Sequence, residues 1–266
     1  MDVRVKAQRK LEAELHNAVA NSEFELYYQP VVNVRDNEIV GLEALLRWRH
    51  PERGLISPGD FMPTVEETGL IIPLGEWVLR QACSDAVHWP DTVRIAVNLS
   101  PVQFKSQKLV QAVIDALATT GIAPHRLELE LTEAALLSND RHNIATLDQI
   151  RQLGVRVVMD DFGTGYSSLN YLRSFPFDKI KIDRSFVSDL SSGNEISLAI
   201  VGAVVSLART LQVATVAEGI ETETQLELIR AAGCNEYQGY LFSPPRPVEQ
   251  IDGMMAARAS RPVSAA

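Results

Sequence analysis

"VVMDDFGTGYSSL", residues 157–169, joins three apolar residues to two adjacent aspartates and then to a glycine-rich turn that leads into a helix. Such a stretch reads as a buried strand whose end carries charge, followed by a loop. The chain repeats the pattern on both sides. Strands are expected near ELYYQPVV (25–32), IVGLEALLRW (39–48), VRIAVNL (93–99), RLELELT (126–132), VRVVMDD (155–161), KIKID (179–183), VATVAEG (213–219) and EYQGYLF (236–242). Between most of them lie helical patterns with apolar residues three and four apart, as in 74–89, 134–154, 195–211 and 222–233. Strand and helix alternate about eight times over some 250 residues. That count predicts an α/β fold closed as a (β/α)8 TIM-type barrel, because an open doubly wound sheet normally has fewer strands and a recognisable switch point.

The ends differ from the middle. Residues 1–21 read as a linker helix, with Leu11, Leu15, Ala18 and Val19 on one face, leading into a barrel over 22–252. Residues 253–266 read as a small-residue-rich, frayed tail.

With 266 residues, 46% of them hydrophobic, the chain can bury a large core. No run reaches the roughly 18–20 apolar residues of a membrane span, and the N-terminus lacks the apolar core of a signal peptide, so the reading is of a cytoplasmic protein without direct membrane insertion. A net charge of -9 argues against binding nucleic-acid polymers. Cys83 and Cys234 stand outside any CxxC spacing and read as buried small hydrophobes. The five histidines, His16, His50, His88, His125 and His142, show no metal-ligand spacing.

In a barrel the active site forms where the carboxyl ends of the strands gather. Here those ends carry Glu43, Asn98, Glu130 with Glu133, Asp160 with Asp161, Lys181 with Asp183, Glu218, and Gln238. Two unit charges about 4 Å apart repel by roughly 4 kcal/mol at an effective dielectric near 20, so this many carboxylates in one mouth require either protonation or cations among them. Oxygen donors with one amide and no thiolate suit Mg²⁺ or Mn²⁺ better than zinc. An adjacent aspartate pair suits the bridging of two such ions, about 3.5–4 Å apart, around a phosphoryl displacement.

Each residue also has an ordinary structural reading. Asp161 alone reads as a helix N-cap, Glu133 as a first-turn helix acid, and Glu218 as a solvated loop charge. Lys181 shares a strand face with Lys179, and both could point outward. The GTGYSS loop lacks the last glycine of a dinucleotide fingerprint and follows two acids that would repel a pyrophosphate. The Asn98-Leu99-Ser100 sequon precedes a proline, with no secretion signal upstream.

Taken together, EALLRW at 43, NLS at 98, ELTE at 130, DDFGTGYSSL at 160, KIDRSF at 181, AEGIE at 217 and YQGYLFS at 237 resemble the EAL-domain cyclic di-GMP phosphodiesterases over about residues 22–250. The resemblance implies a modified barrel with one antiparallel strand and hydrolysis of cyclic di-GMP to linear pGpG. It implies two Mg²⁺ or Mn²⁺ ions held by Glu43, Asn98, Glu130, Asp160, Asp161 and Glu218, the last serving alternatively as a water-positioning carboxylate. Lys181 would orient the attacking water or steady the phosphate, and Glu133 would hold the glycine-rich loop. Arg47 would clamp the phosphate, while Gln29, Asp183 and Gln238 would place the guanine and ribose-phosphate portions. The mechanism expected is in-line attack by a metal-bound hydroxide. A homodimer, cytoplasmic in location and fused behind a sensory or diguanylate cyclase module of a larger, membrane-anchored protein, completes the expectation. The alternatives are a catalytically weak cyclic di-GMP receptor that signals through a partner, and a metal-dependent enzyme acting on another small phosphoester.

Overall fold

The computed structural model describes residues 2–104, 106–132, 135, 141–163, 175 and 177–259. Eight strands close into a barrel: β1 (Phe24–Asn33), β2 (Ile39–His50), β3 (Arg94–Asn98), β4 (Leu127–Thr132), β5 (Arg156–Phe162), β6 (Lys179–Ile182), β7 (Ala214–Ala217) and β8 (Glu236–Tyr237). From β2 to β8 each strand runs parallel to the next. β1 closes the ring antiparallel to both β2 and β8. The reversal follows from the connection: β1 and β2 are joined by a tight turn through Asn37, in the left-handed region at φ 56, which is too short for a parallel crossover.

The longer helices are α1 (Asp2–Ala20), α2 (Ile71–Ala86), α3 (Leu109–Thr120), α4 (Arg141–Gln152), α5 (Glu195–Leu211), α6 (Glu223–Ala232) and α7 (Val248–Ala259). Their ends carry the expected local chemistry. Asn194 caps α5 by accepting from the amides of Ile196 and Ser197. Thr222 and Gln225 form a reciprocal capping box on α6, which ends at Gly233 in the left-handed region. Among the described residues no helix is long and apolar enough to cross a membrane.

β4 shows how the strands divide their side chains. Leu127, Leu129 and Leu131 join the apolar layer beneath the helices, whereas Glu128 and Glu130, just as buried, meet lysines of β6 inside the ring. The same alternation sends both Lys179 and Lys181 inward, so the outward reading of that pair does not hold. The barrel interior is therefore charged, and the apolar core is the shell between strands and helices.

Strand β8 is only two residues long, shorter than the EYQGYLF run suggests. The chain leaves the sheet at Gly239, where a Cβ would lie 2.0 Å from the Ile220 carbonyl oxygen. Helix α1 packs its Leu15 and Ala18, both fully buried, with Phe24, Trp48, Phe61, Val65, Ile71 and Leu74 in a second apolar cluster. Helix α7 crosses position 252, and residues 260–266 lie outside the described residues. Cys83 and Cys234 are buried as free thiols. His50 is buried and accepts from the amides of Glu52 and Arg53.

Candidate active site

Adjacent residues of a regular strand point to opposite faces, yet Asp160 and Asp161 serve one site. The register of β5 on β6 shifts between Met159 and Phe162, and Asp161 adopts φ 53, a left-handed conformation that aspartate tolerates better than most residues. Its amide donates to Asp160 Oδ1 at 2.9 Å. As a result, carboxylate oxygens of Asp160, Asp161 and Glu218 all lie within 4.8 Å of one another.

Lys181 occupies the centre. Its Nζ lies 2.7 Å from Glu130 Oε2, 2.7 Å from Glu218 Oε1, 3.4 Å from Glu43 Oε2 and 3.5 Å from Asp160 Oδ1. Glu43 is held further by Asn98, which donates to Oε1 at 2.7 Å, and by Gln238, which donates to Oε2 at 2.7 Å. The Gln238 amide also donates to Gln29 Oε1 at 3.0 Å, and Gln29 donates to the Ser243 carbonyl at 3.2 Å. Residues from six strands, β1 to β6, and from the loops after β7 and β8 thus meet in one volume.

Each ionisation follows from this packing. Burial opposes the Lys181 charge, but Glu130, Glu218, Glu43 and Asp160 together hold its ammonium well above the usual lysine range. Burial pushes Glu130 well above the usual carboxylate range, with Glu43 and Asp160 adding to Lys181's failure to offset it. Burial, with Asp160 and Glu43, pushes Glu218 up to about 8 against the pull of Lys181. Glu43 moves the other way: burial resists its charge, and Lys181, Gln238 and Asn98 overcome that and lower it. Asp161 is raised by burial and by the charges of Asp160 and Asp183.

Beside the cluster opens a cleft of about 390 Å³ that reaches Gln29, Arg47, Gln238, Arg184 and Tyr240. Arg47 donates to its neighbour's carbonyl, Leu46 O, at 2.8 Å, and its guanidinium lies over the Tyr27 ring at 5.5 Å. Asp183 caps the short helix Arg184–Ser188 by accepting from the Ser185 amide at 3.0 Å, and its charge acts on Asp161. Glu133 and the glycine-rich loop from residue 164 lie outside the described residues. Arg184 and Tyr240 were not singled out from the sequence, although both stand within the KIDRSF and YQGYLFS blocks.

The donor set fits hard divalent cations. Among the described residues, five carboxylates, from Glu43, Glu130, Asp160, Asp161 and Glu218, gather with one ammonium, that of Lys181, in contact with four of them, and burial raises Glu130 and Glu218 despite its pull. Gln238 Oε1 is buried without a hydrogen-bond partner, an acceptor that a cation or a substrate donor would satisfy. Every donor is oxygen, as Mg²⁺ and Mn²⁺ prefer.

Comparison with known proteins agrees with this geometry. The EAL domain family profile matches residues 12–245. The chain is 52% identical over 258 residues to the uncharacterized protein y4lL of Sinorhizobium fredii, covering 97% of this chain and 31% of that protein. It is 43% identical over 255 residues to the bifunctional diguanylate cyclase/cyclic di-GMP phosphodiesterase MucR of Pseudomonas aeruginosa, covering 94% of this chain and 37% of that one. The chain spans about a third of the length of these curated relatives. Among solved structures, the PaMucR phosphodiesterase in complex with c-di-GMP superposes with a TM-score of 0.87 at 44% identity, covering 91% of this chain and 99% of that chain. The EAL enzyme Bd1971, bound to cAMP and cyclic di-GMP, gives 0.90 at 34% identity, covering 95% and 70%. With a family profile spanning most of its length and a solved relative matched almost end to end, the chain belongs to the EAL domain family.

Proposed function

We propose that this domain hydrolyses cyclic di-GMP to linear pGpG with the help of two divalent cations. The observation that carries the reading is the meeting of five carboxylates around Lys181 beside an arginine-bearing cleft. Glu43, Asn98, Glu130, Asp160, Asp161 and Glu218 would hold Mg²⁺ or Mn²⁺, which when bound would acidify a water and offset charge on the phosphoryl oxygens.

The remaining work falls to the chain. Lys181 keeps a fixed positive charge and a directed donor beside the reacting phosphate, where a water-poor, preorganised site gives such a charge its greatest effect. Glu218, whose carboxylate lies 2.7 Å from Lys181 Nζ, positions the attacking water and takes up its proton. Arg47 clamps a phosphate with its planar fork of donors. Gln238, braced by Gln29, holds Glu43 in place. Gln29, Asp183 and Gln238 would place the guanine and ribose-phosphate portions of the substrate, and Glu133 would hold the glycine-rich loop.

In the same reading the domain is the cytoplasmic output end of a longer chain with a sensory or diguanylate cyclase module, as the bifunctional name of MucR supports. It acts as a homodimer.

The test is incubation of the purified domain with cyclic di-GMP in Mg²⁺, in Mn²⁺ and in chelator, with the products separated by chromatography. Linear pGpG in the metal samples alone is expected. Binding without turnover in every sample would make the domain a receptor instead, and turnover of other small phosphodiesters at an equal rate would remove the substrate assignment.

A further inference from the structure

Beneath the carboxylate cluster lies a second charged layer. Glu128 stands two residues before Glu130 on β4, Lys179 two before Lys181 on β6, and Glu236 two before Gln238 at β8. A strand's period of two sends both members of each pair into the barrel, and all six are buried. Arg94 joins the lower three from β3. Lys179 Nζ lies 2.9 Å from Glu128 Oε2 and 2.8 Å from Glu236 Oε2, while Arg94 Nε lies 2.7 Å from Glu128 Oε1 and its Nη2 donates to Glu236 Oε1 at 2.6 Å. Each carboxylate gives one oxygen to each cation. The result is a closed, electroneutral ring of two cations and two anions across the barrel.

Burial alone does not explain such a ring. Barrel interiors are ordinarily packed with branched apolar side chains, and a buried ion pair is often no more stabilising than well-packed apolar residues of similar volume. What the ring adds is register. Glu236 belongs to a strand of two residues, in register with Val216, Ala217, Val32 and Asn33 and flanked by backbone bonds from Val34 N–H to Asn235 O and from Gln238 N–H to Ala217 O. A slip by one residue would turn Glu236 away from both cations, so the ring holds that strand in place where few ladder bonds do. The next residue but one is Gln238, whose amide fixes Glu43 and Gln29.

We propose that the Arg94–Glu128–Lys179–Glu236 ring is a positioning device for catalysis, which aims Gln238 at Glu43 by fixing the register of β8. The inference rests on the proposed phosphodiesterase reading for its effect on rate, but not for its effect on Gln238. Breaking the ring loosens the Gln238 amide, lets the Glu43 carboxylate turn, and slows the chemical step while leaving the Arg47, Arg184 and Tyr240 part of the cleft unchanged.

The experiment compares the parent with Lys179→Met and with a variant that replaces the whole ring by apolar residues (Arg94→Met, Glu128→Leu, Lys179→Met, Glu236→Leu). The second variant leaves no unpaired charge and covers the case in which Lys179→Met does not fold. The side-chain NH₂ resonance of Gln238, assigned by its loss in Gln238→Ala, exchanges slowly with solvent in the parent and roughly 10-fold or more faster in the folded ring variants. In the turnover assay the ring variants lose roughly 10–100-fold in kcat, the range typical of lost outer support at a metal site, with KM within about threefold. In a Gln238→Ala background the same substitutions cost less than about threefold more, because both act through one contact. A folded ring variant whose Gln238 amide stays as protected as the parent's overturns the proposal whatever its activity, and so does an equal loss of kcat with and without Gln238. If the parent shows no turnover at all, the phosphodiesterase reading fails, and the amide exchange alone decides for or against the ring.

Discussion

Asp160 and Asp161, neighbours in the chain, turn their carboxylates toward one point, together with Glu218, because the backbone at Asp161 is left-handed and β5 slips its register there. The bulge supplies two acids from one strand end to a site that ordinary alternation would give only one.

Replacing Asp161 by glycine separates the two consequences of that bulge. Glycine accepts φ 53 without strain, so Asp161→Gly keeps the fold and its thermal midpoint, yet it removes a carboxylate from the cluster. Calorimetric titration with Mn²⁺ is expected to show affinity reduced by at least about 10-fold. Affinity equal to the parent's would remove Asp161 from the cation site.

Among the described residues, Lys181 is the one cation in contact with Glu43, Glu130, Asp160 and Glu218. Lys181→Met leaves buried carboxylates facing one another, a loss of about 3–5 kcal/mol by analogy with other broken buried pairs. In chelator the thermal midpoint is expected to fall by roughly 10 °C, with partial recovery in Mg²⁺. Turnover in Mg²⁺ is expected to drop by about 10²–10⁴-fold. An unchanged midpoint in chelator would contradict the central placement of this lysine.

The charge balance also has a pH signature. The Glu218 carboxyl is pushed from 4.5 up to about 8, so the metal-free fold keeps a proton that the unfolded chain has given up. Its contribution to stability is complete below 4.5 and is lost as the pH rises through about 8. In chelator the denaturant midpoint should therefore fall between those limits. Cation binding at pH 7 should release protons, from Glu218 and from Glu130, whose carboxyl burial also raises, measured by calorimetry in buffers of different ionisation enthalpy. Binding without proton release would show that Glu218 is already ionised.

Both cysteines are sealed in the apolar shell, and burial pushes Cys83 up to about 12 and Cys234 up to about 11. The native protein at pH 8 is expected to react with a thiol-specific chromogenic disulfide orders of magnitude more slowly than the denatured chain. Fast reaction of either thiol in the native state would place it at the surface.

Much of the site was legible because strand ends are short, polar and spaced by helices: Glu43, Asn98, Glu130, Asp160, Lys181 and Glu218 converge as their positions require. What escaped the sequence depends on contacts between distant segments. Period-two alternation puts Lys179 and Lys181 on one face but does not say which face is inside, and only barrel closure decides it. The Asp161 bulge carries no glycine to announce it. The shortness of β8 follows from the approach of Gly239 to Ile220, which no local pattern records. Asp183 shows the opposite case: its cap on the Ser185 amide, two residues on, is local chemistry that an Asp just before a helix carries in the sequence itself.

The most direct measurement is anomalous diffraction at the manganese edge from crystals of the domain grown with millimolar Mn²⁺. The account predicts two peaks, about 3.5–4 Å apart, among Glu43, Asn98, Glu130, Asp160, Asp161 and Glu218, with the Asp161 carboxylate touching at least one of them. A mouth without any manganese peak at that concentration, with Lys181 alone balancing the carboxylates, would contradict it.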